Sequence, residues 1–390
     1  MLKKVLFVNL MILLVFAGAS YWMEVGHGLR QTAAEISPEA QEEHAEETEA
    51  DEGEGEEQEK QADNGGDTDG QEGQDDYIRW VDFLVSEFAM SEAYEYDRDT
   101  YGTDAHIGWI DLLAWTAAHT GGSFDDDREV MNLFTELEEE IGRGKALEKL
   151  TADLKYFPYY KEAYTAVLGG MVGEFEIEEA KEDGDGKKEW VKKYGLKAFH
   201  PIAKGFPYSD YDDFGVSRSY GYERSHLGHD MMGQTGTPII AVESGYVEAL
   251  GWNQYGGWRI GVRSFDKQRY YYYAHLRQGF PYQPELKEGS VVLAGDVIGY
   301  MGHTGYSTTE DTNNIDTTHL HFGMQLIFDE SQKDGDNEIW IDCYQIVRFL
   351  YRNRSETERN AETKEWRRIY LMKDPDAAAY ERTVDFSMYP

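Results

Sequence analysis

Three histidine-bearing segments in the second half of the chain carry residue types that can do chemistry together. The first is HLGHD, with His226, His229 and Asp230; the second is YYYYAHL, with His275; the third is HLHF, with His319 and His321. Residues two apart on a strand point to the same face, so His319 and His321 are expected to project side by side. Two imidazoles on one sheet face can serve a metal ion directly and a reaction beside it. His226 and Asp230 add a nitrogen and an oxygen ligand. With one of the two HLHF histidines they make three protein ligands and leave the fourth tetrahedral position open for water. That is the pattern of a catalytic zinc site, since a structural one is closed.

The other histidines read differently. On an extended segment His229 faces away from Asp230, which makes it structural. His303, in the Gly-flanked turn MGHTGYS, and His200, before Pro201, read as loop residues. His106 and His119 stand at no ligand spacing with carboxylates. Glu87 and Glu92 are acids of the kind a lysozyme-like site uses, but that chemistry needs an apolar pocket, which sequence does not supply.

The elements that must position the three segments are short strands. Runs at 238–242, 246–250, 258–263, 269–275, 291–300 and 319–326 are rich in β-branched and aromatic residues and are separated by Gly, Asn, Asp or Pro. This spacing predicts an all-β antiparallel sandwich or barrel. A helix over 339–350 is expected to pack back on it. The catalytic domain is thus placed at 199–352, with a polar C-terminal extension at 353–390.

Residues 77–175 have another rhythm. Ile78, Val81, Leu84 and Phe88 recur at helical spacing, as do Ile107, Ile110, Leu113 and Ala117, then Val130, Leu133, Leu137 and Ile141. Gly121 and Gly122 read as a helix stop and residues 125–127 as a capping start. An accessory domain of about five helices is expected, making the chain α+β and multidomain. The charged, Gly-punctuated stretch 176–198 is read as a linker or exposed hairpin.

The 390 residues carry 75 acidic and 37 basic side chains, a formal net charge of -38. Phosphate repels such a surface, which argues against nucleic acid as a partner. Much of the charge lies in 31–76, where Glu, Asp, Gln and Gly predominate. That segment has almost nothing to bury and reads as a disordered acidic linker. Before it, Lys3 and Lys4 precede an apolar run over 5–19, so residues 1–30 read as a signal peptide or a membrane anchor. Either places the remainder outside the cytoplasm. The single cysteine, Cys343, excludes an intramolecular disulfide and a cysteine-ligated zinc cluster, and reads as a small core residue.

In order and spacing, Phe214-Gly-Val-Ser-Arg218, HLGHD, GTPIIAVESGYV, YYYYAHL, GDVIGYMGHTGYS and HLHF resemble the signature blocks of the lysostaphin-type (LytM-like) zinc metallopeptidases. The resemblance covers about 200–345, less than half of the chain. It implies the duplicated hybrid motif fold, with a narrow groove over one sheet, and a zinc endopeptidase acting on peptidoglycan peptides. Position by position it implies His226, Asp230 and His321 as Zn2+ ligands. His275 and His319 are implied as the pair that positions water and stabilises the transition state, His319 being favoured as the base. Gly256, Gly257, Gly302 and Gly305 are expected to keep the groove walls narrow. Many relatives have an aliphatic residue where His229 stands, and the approach NNIDTTHLHF is unusually polar. Neither departure removes a ligand. The competing expectation is a catalytically silent wall-associated binding or activator protein, with the helical domain contacting a protein partner.

Overall fold

A computed structural model describes residues 78–181, 187–219, 223–333 and 337–383. They belong to one compact unit, Gln74–Pro390. The expected signal or anchor segment and the acidic linker lie outside the described residues. No helix among those described is long and apolar enough to cross a membrane.

Among the described residues five helices come first: Glu87–Thr100, Trp109–Thr120, Asp127–Gly142, Leu147–Thr151 and Phe157–Leu168. Their ends follow local chemistry. Ser86 Oγ accepts from the Ala89 amide, and the Asp126 carboxylate accepts from the amides of Arg128 and Glu129, satisfying first-turn donors. Gly121 ends the second helix at φ +69°, a left-handed conformation that suits glycine.

The expected helical start at Ile78 is not found. Residues 78–86 belong to no helix or strand, and Val81, Phe83 and Val85 are buried while Trp80 and Leu84 face solvent. Two apolar periods overlap here, and the period-2 set is the one that reaches the core. The backbone is served from outside: Gln332 Nε2 donates to the Ile78 carbonyl and the Tyr159 hydroxyl to that of Trp80. Residues from 172 then form an antiparallel hairpin, Val172–Ala180 with Lys188–Leu196, and Met372–Lys373 adds a third strand.

The main sheet has eight strands. In order across it run Val291–Val292, Gly245–Asn253, Gly257–Ser264, Arg269–Ala274, His319–Leu326, His229–Met232 and Ser209–Asp210, while Ile339–Ile341 also pairs with His319–Leu326. All of these pairings are antiparallel. A separate two-stranded sheet joins Pro238–Ile240 to Val297–Tyr300. The helix expected over 339–350 is shorter, Tyr344–Leu350. Ile339 and Ile341 are buried on either side of a half-buried Trp340, and this alternation makes a strand.

On His319–Leu326 the pleat separates two kinds of residue. Leu320, Phe322, Met324 and Leu326 point into the core, leaving His319, His321, Gly323 and Gln325 for the other face. One hydrophobic core joins these four residues to Leu112, Leu113, Tyr164 and Val167 of the helices. Helices and sheet therefore stabilise each other.

Arg269 adds a polar tie between them and is 1% exposed. Its Nη1 donates to the Ala166 carbonyl at 2.7 Å, at the end of the Phe157–Leu168 helix, where carbonyls lack intrahelical partners. Its Nε and Nη2 donate to Glu243 at 2.8 and 3.1 Å, and Nη2 reaches Asp266 at 2.7 Å. The Tyr271 hydroxyl adds a bond to Glu243 at 2.6 Å. A buried ion pair of this kind costs most when one partner is removed. Arg269→Met is expected to lower unfolding free energy by about 3–5 kcal/mol, read from urea denaturation, because Glu243 would remain buried without its counter-charge.

Candidate metal centre

His321 lies on the central strand, opposite Asp230 of the neighbouring strand His229–Met232, and His226 stands just before that strand. The register therefore joins two motifs ninety residues apart. His226 Nε2 is 3.1 Å from Asp230 Oδ1 and 2.9 Å from His321 Nδ1, and His321 Nδ1 is 2.9 Å from the same carboxylate oxygen. One donor atom from each residue lies within 4.8 Å of the others. Gly228 of HLGHD makes the approach possible: a Cβ there would stand 2.6 Å from His321 Cε1.

The donor chemistry fits a cation. The Asp213 carbonyl can only accept, so His226 must donate to it from Nδ1, at 3.1 Å. In the neutral ring Nε2 then presents a lone pair toward the carboxylate and the second imidazole. Two nitrogens and a carboxylate oxygen suit zinc. Without a cation the trio is held by protons. Burial pushes the His226 pKa down, but hydrogen bonds to Asp213 and Asp230 outweigh it and raise it to about 9. Burial would likewise raise Asp230, yet hydrogen bonds from His226 and His321 hold it far below the usual carboxylate range. Burial lowers the pKa of His321.

Arg218 and Asp213 complete the arrangement, and sequence reasoning assigned neither a role. Arg218 Nη1 donates to Asp230 Oδ2 at 2.7 Å, and Nη2 donates to Asp213. With Oδ2 engaged, Asp230 has Oδ1 left for a metal. Asp213 in turn has Oδ2 3.2 Å from His226 Nδ1. The available signals were a pair of charged residues flanking an apolar stretch in DDFGVSR and the place of Arg218 in the first of the resembling blocks, neither of which reveals a partner on another strand.

His275 and His319 stand beside this trio. Their ring centroids are 4.7 Å apart, and His275 lies 5.8 Å from His321. Each donates Nδ1–H to a backbone carbonyl, His275 to Thr304 at 2.9 Å and His319 to Thr317 at 2.8 Å, leaving both Nε2 atoms as acceptors. His319 Nε2 is 3.6 Å from Asp230 Oδ2. His275 adopts φ +60°, unusual for a non-glycine residue, and Tyr306 stacks near its ring. Burial, then the neighbouring His319 and His321, push the His275 pKa well below its ordinary value.

All four histidines line a cleft of about 640 Å³, together with Tyr272, Tyr306 and Arg218. Glycines bring its loops together: a Cβ on Gly257 would lie 2.4 Å from Thr304, and one on Gly305 would lie 2.4 Å from the Tyr255 carbonyl.

The remaining histidines lie elsewhere. His229 points to the opposite side of its strand, where Nε2 pairs with Asp210 at 3.0 Å and the ring packs on Tyr344. His303 braces its loop through the Ile315 carbonyl. His200 is buried against Tyr208, with its pKa pushed down to about 3 by burial. His106 pairs with Asp97, and His119 bonds to the Trp115 carbonyl. Cys343 is buried.

Residues 224–334 match the model of Peptidase family M23. The L-Ala--D-Glu endopeptidase of Bacillus subtilis is 39% identical over 130 residues, 33% of this chain and 38% of its own length. Lysostaphin of Staphylococcus simulans is 33% identical over 135 residues, and the glycyl-glycine endopeptidase ALE-1 of Staphylococcus capitis 34% over 120, which are 22% and 28% of their lengths. The chain thus spans under two fifths of each of these relatives. Among solved structures, a LytM protein from Ruminococcus gnavus is 25% identical and aligns over 72% of this chain and 92% of its own, with a TM-score of 0.44. Residues 224–334 are thus the part of the chain that is similar to Peptidase family M23.

Groups that orient a metal ligand are themselves worth affinity. Arg218→Met is expected to weaken zinc binding about 10- to 100-fold, measured by competition with a chromophoric chelator, because Asp230 loses the guanidinium that orients it.

Proposed function

We propose that this chain is a zinc-dependent endopeptidase that hydrolyses peptide cross-links of bacterial peptidoglycan outside the cytoplasm, with residues 199–352 carrying the chemistry. The carrying observation is the convergence of lone pairs from His226, Asp230 and His321 at one end of an open cleft, flanked by His275 and His319.

A zinc ion held by the trio would supply Lewis acidity, which makes water a nucleophile near neutral pH and polarises a carbonyl. The rest falls to the chain's own groups. His319 Nε2, a free acceptor beside Asp230, is placed to take the proton of the attacking water. The Thr317 carbonyl holds that ring in the required tautomer. His275 also offers a lone pair at Nε2, so it can orient the same water as an acceptor. It donates toward an oxyanion only after gaining a proton itself. The loops around Gly257 and Gly305 narrow the cleft, which suits a slim peptide with small residues. Relatives are named L-Ala--D-Glu endopeptidase and glycyl-glycine endopeptidase, and neither name includes an aromatic or branched residue.

The test uses the full chain, since helices and sheet share a core. The purified protein is expected to hold one zinc per chain by elemental analysis and to release new peptide ends from cell walls. Asp230→Ala should lose both properties. His319→Ala should keep the zinc and lose activity by about 100-fold or more. A protein that binds no zinc would refute the metal centre, and a zinc-loaded protein that opens no wall peptide would refute the peptidase.

A further inference from the structure

The charged residues along the cleft can be accounted for one at a time. Arg218 is engaged by Asp213 and Asp230. Lys333 pairs with Glu248 at 3.0 Å, and Glu338 accepts from the Trp340 indole at 2.6 Å. Arg259 also lines the cleft, and no ion pair joins it to a carboxylate among the described residues. Its guanidinium acts on the Tyr270 hydroxyl, but its Nε is shielded from solvent without a hydrogen-bond partner. A shielded guanidinium nitrogen left unpaired is costly, and a ligand is one physical reason to keep it so.

Its place in the sheet is specific. Ala274 is opposite the metal-site residue His321, and Tyr273 is opposite Ile260, so Arg259 is the next residue on the far side of Ala274. Two strand spacings separate Arg259 from His321, about 10 Å. That is the span of about three residues of extended peptide, and an arginine side chain covers much of it, so its guanidinium can reach a group near the metal site. Guanidinium is the best match for carboxylate, offering parallel N–H donors to its two oxygens. The chain as a whole, at -38, repels anions. A cation built into the cleft therefore has a local purpose.

We propose that Arg259 is a specificity residue of the cleft, taking a carboxylate that the substrate peptide carries beside the scissile bond, so that the enzyme selects acidic over uncharged peptides. This rests on the peptidase reading above, and it narrows the substrate class to carboxylate-bearing peptides in preference to oligoglycine. No bond is made or broken at Arg259; it contributes ground-state and transition-state binding at a fixed position.

The experiment compares an L-Ala–D-Glu peptide with the same peptide whose free D-Glu carboxylate is amidated, using the full-length zinc-loaded protein. The acid is expected to be cleaved with a kcat/KM about 10- to 100-fold above the amide, the worth of one charge-assisted hydrogen bond or pair. Arg259→Gln should collapse that ratio toward one, and Arg259→Lys should keep part of it. An acid-to-amide ratio that is the same in the wild type and Arg259→Gln would overturn the proposal. If zinc is bound but neither peptide is cleaved, the peptidase reading fails, and calorimetric titration of the same two peptides decides on Arg259. Tighter binding of the acid by the wild type but not by Arg259→Gln supports it, and equal affinities overturn it.

Discussion

His226, Asp230 and His321 bring a carboxylate oxygen and two imidazole nitrogens to within hydrogen-bond distance in a largely buried place. Such a cluster repels itself unless something positive sits in it, whether a shared proton or a metal ion. Much of the surrounding structure holds these acceptors together and prevents their relaxation. The Asp213 carbonyl takes the N–H of His226, Arg218 occupies the second oxygen of Asp230, and Gly228 removes the Cβ that would push His321 away. Each of these contacts makes sense only because the trio must converge.

The convergence depends on register. His321 meets Asp230 because two antiparallel strands pair at that point, and a slip of one residue would turn His321 toward the core and Phe322 toward the cleft. The register is held by the opposite face of the same strand, where Leu320, Phe322, Met324 and Leu326 share a core with the helices. Arg269 joins the two parts a second time, through the carbonyls that end the Phe157–Leu168 helix. The helices thus support the sheet that positions the candidate metal site, although none of their described residues lines the cleft.

The cleft also separates roles among similar side chains. Four histidines line it, and three of them, His226, His275 and His319, are tied through Nδ1 to backbone carbonyls; His226 and His321 turn toward Asp230, whereas His275 and His319 stand beside the trio and present Nε2. Hydrogen bonding to backbone carbonyls decides the tautomer in each case where it occurs. His229, adjacent in sequence to Asp230, is turned to the other side of the sheet and pairs with Asp210. The difference between a candidate ligand and a structural histidine is here one residue along a strand.

Much of this was readable without a fold. The motif HLHF on a strand puts two imidazoles on one face by the period of the pleat alone, and HLGHD and YYYYAHL supplied the other groups. The helix ends at Asp126 and Gly121 follow from local capping, which acts over three or four residues. Where two periods overlapped, as at 78–86, or where a short alternating run adjoined a helix, as at 339–350, local pattern did not decide. Burial against a distant core did. The same limit explains Asp213, Arg218 and Arg259. Their importance lies in which strand lies beside them and which carboxylate is or is not within reach, and those are distances between residues far apart in the chain. The sequence by itself determined which side chains could hold a metal and work beside it. The tertiary structure decided their partners, because strand register and shared burial bring together groups that no local spacing connects.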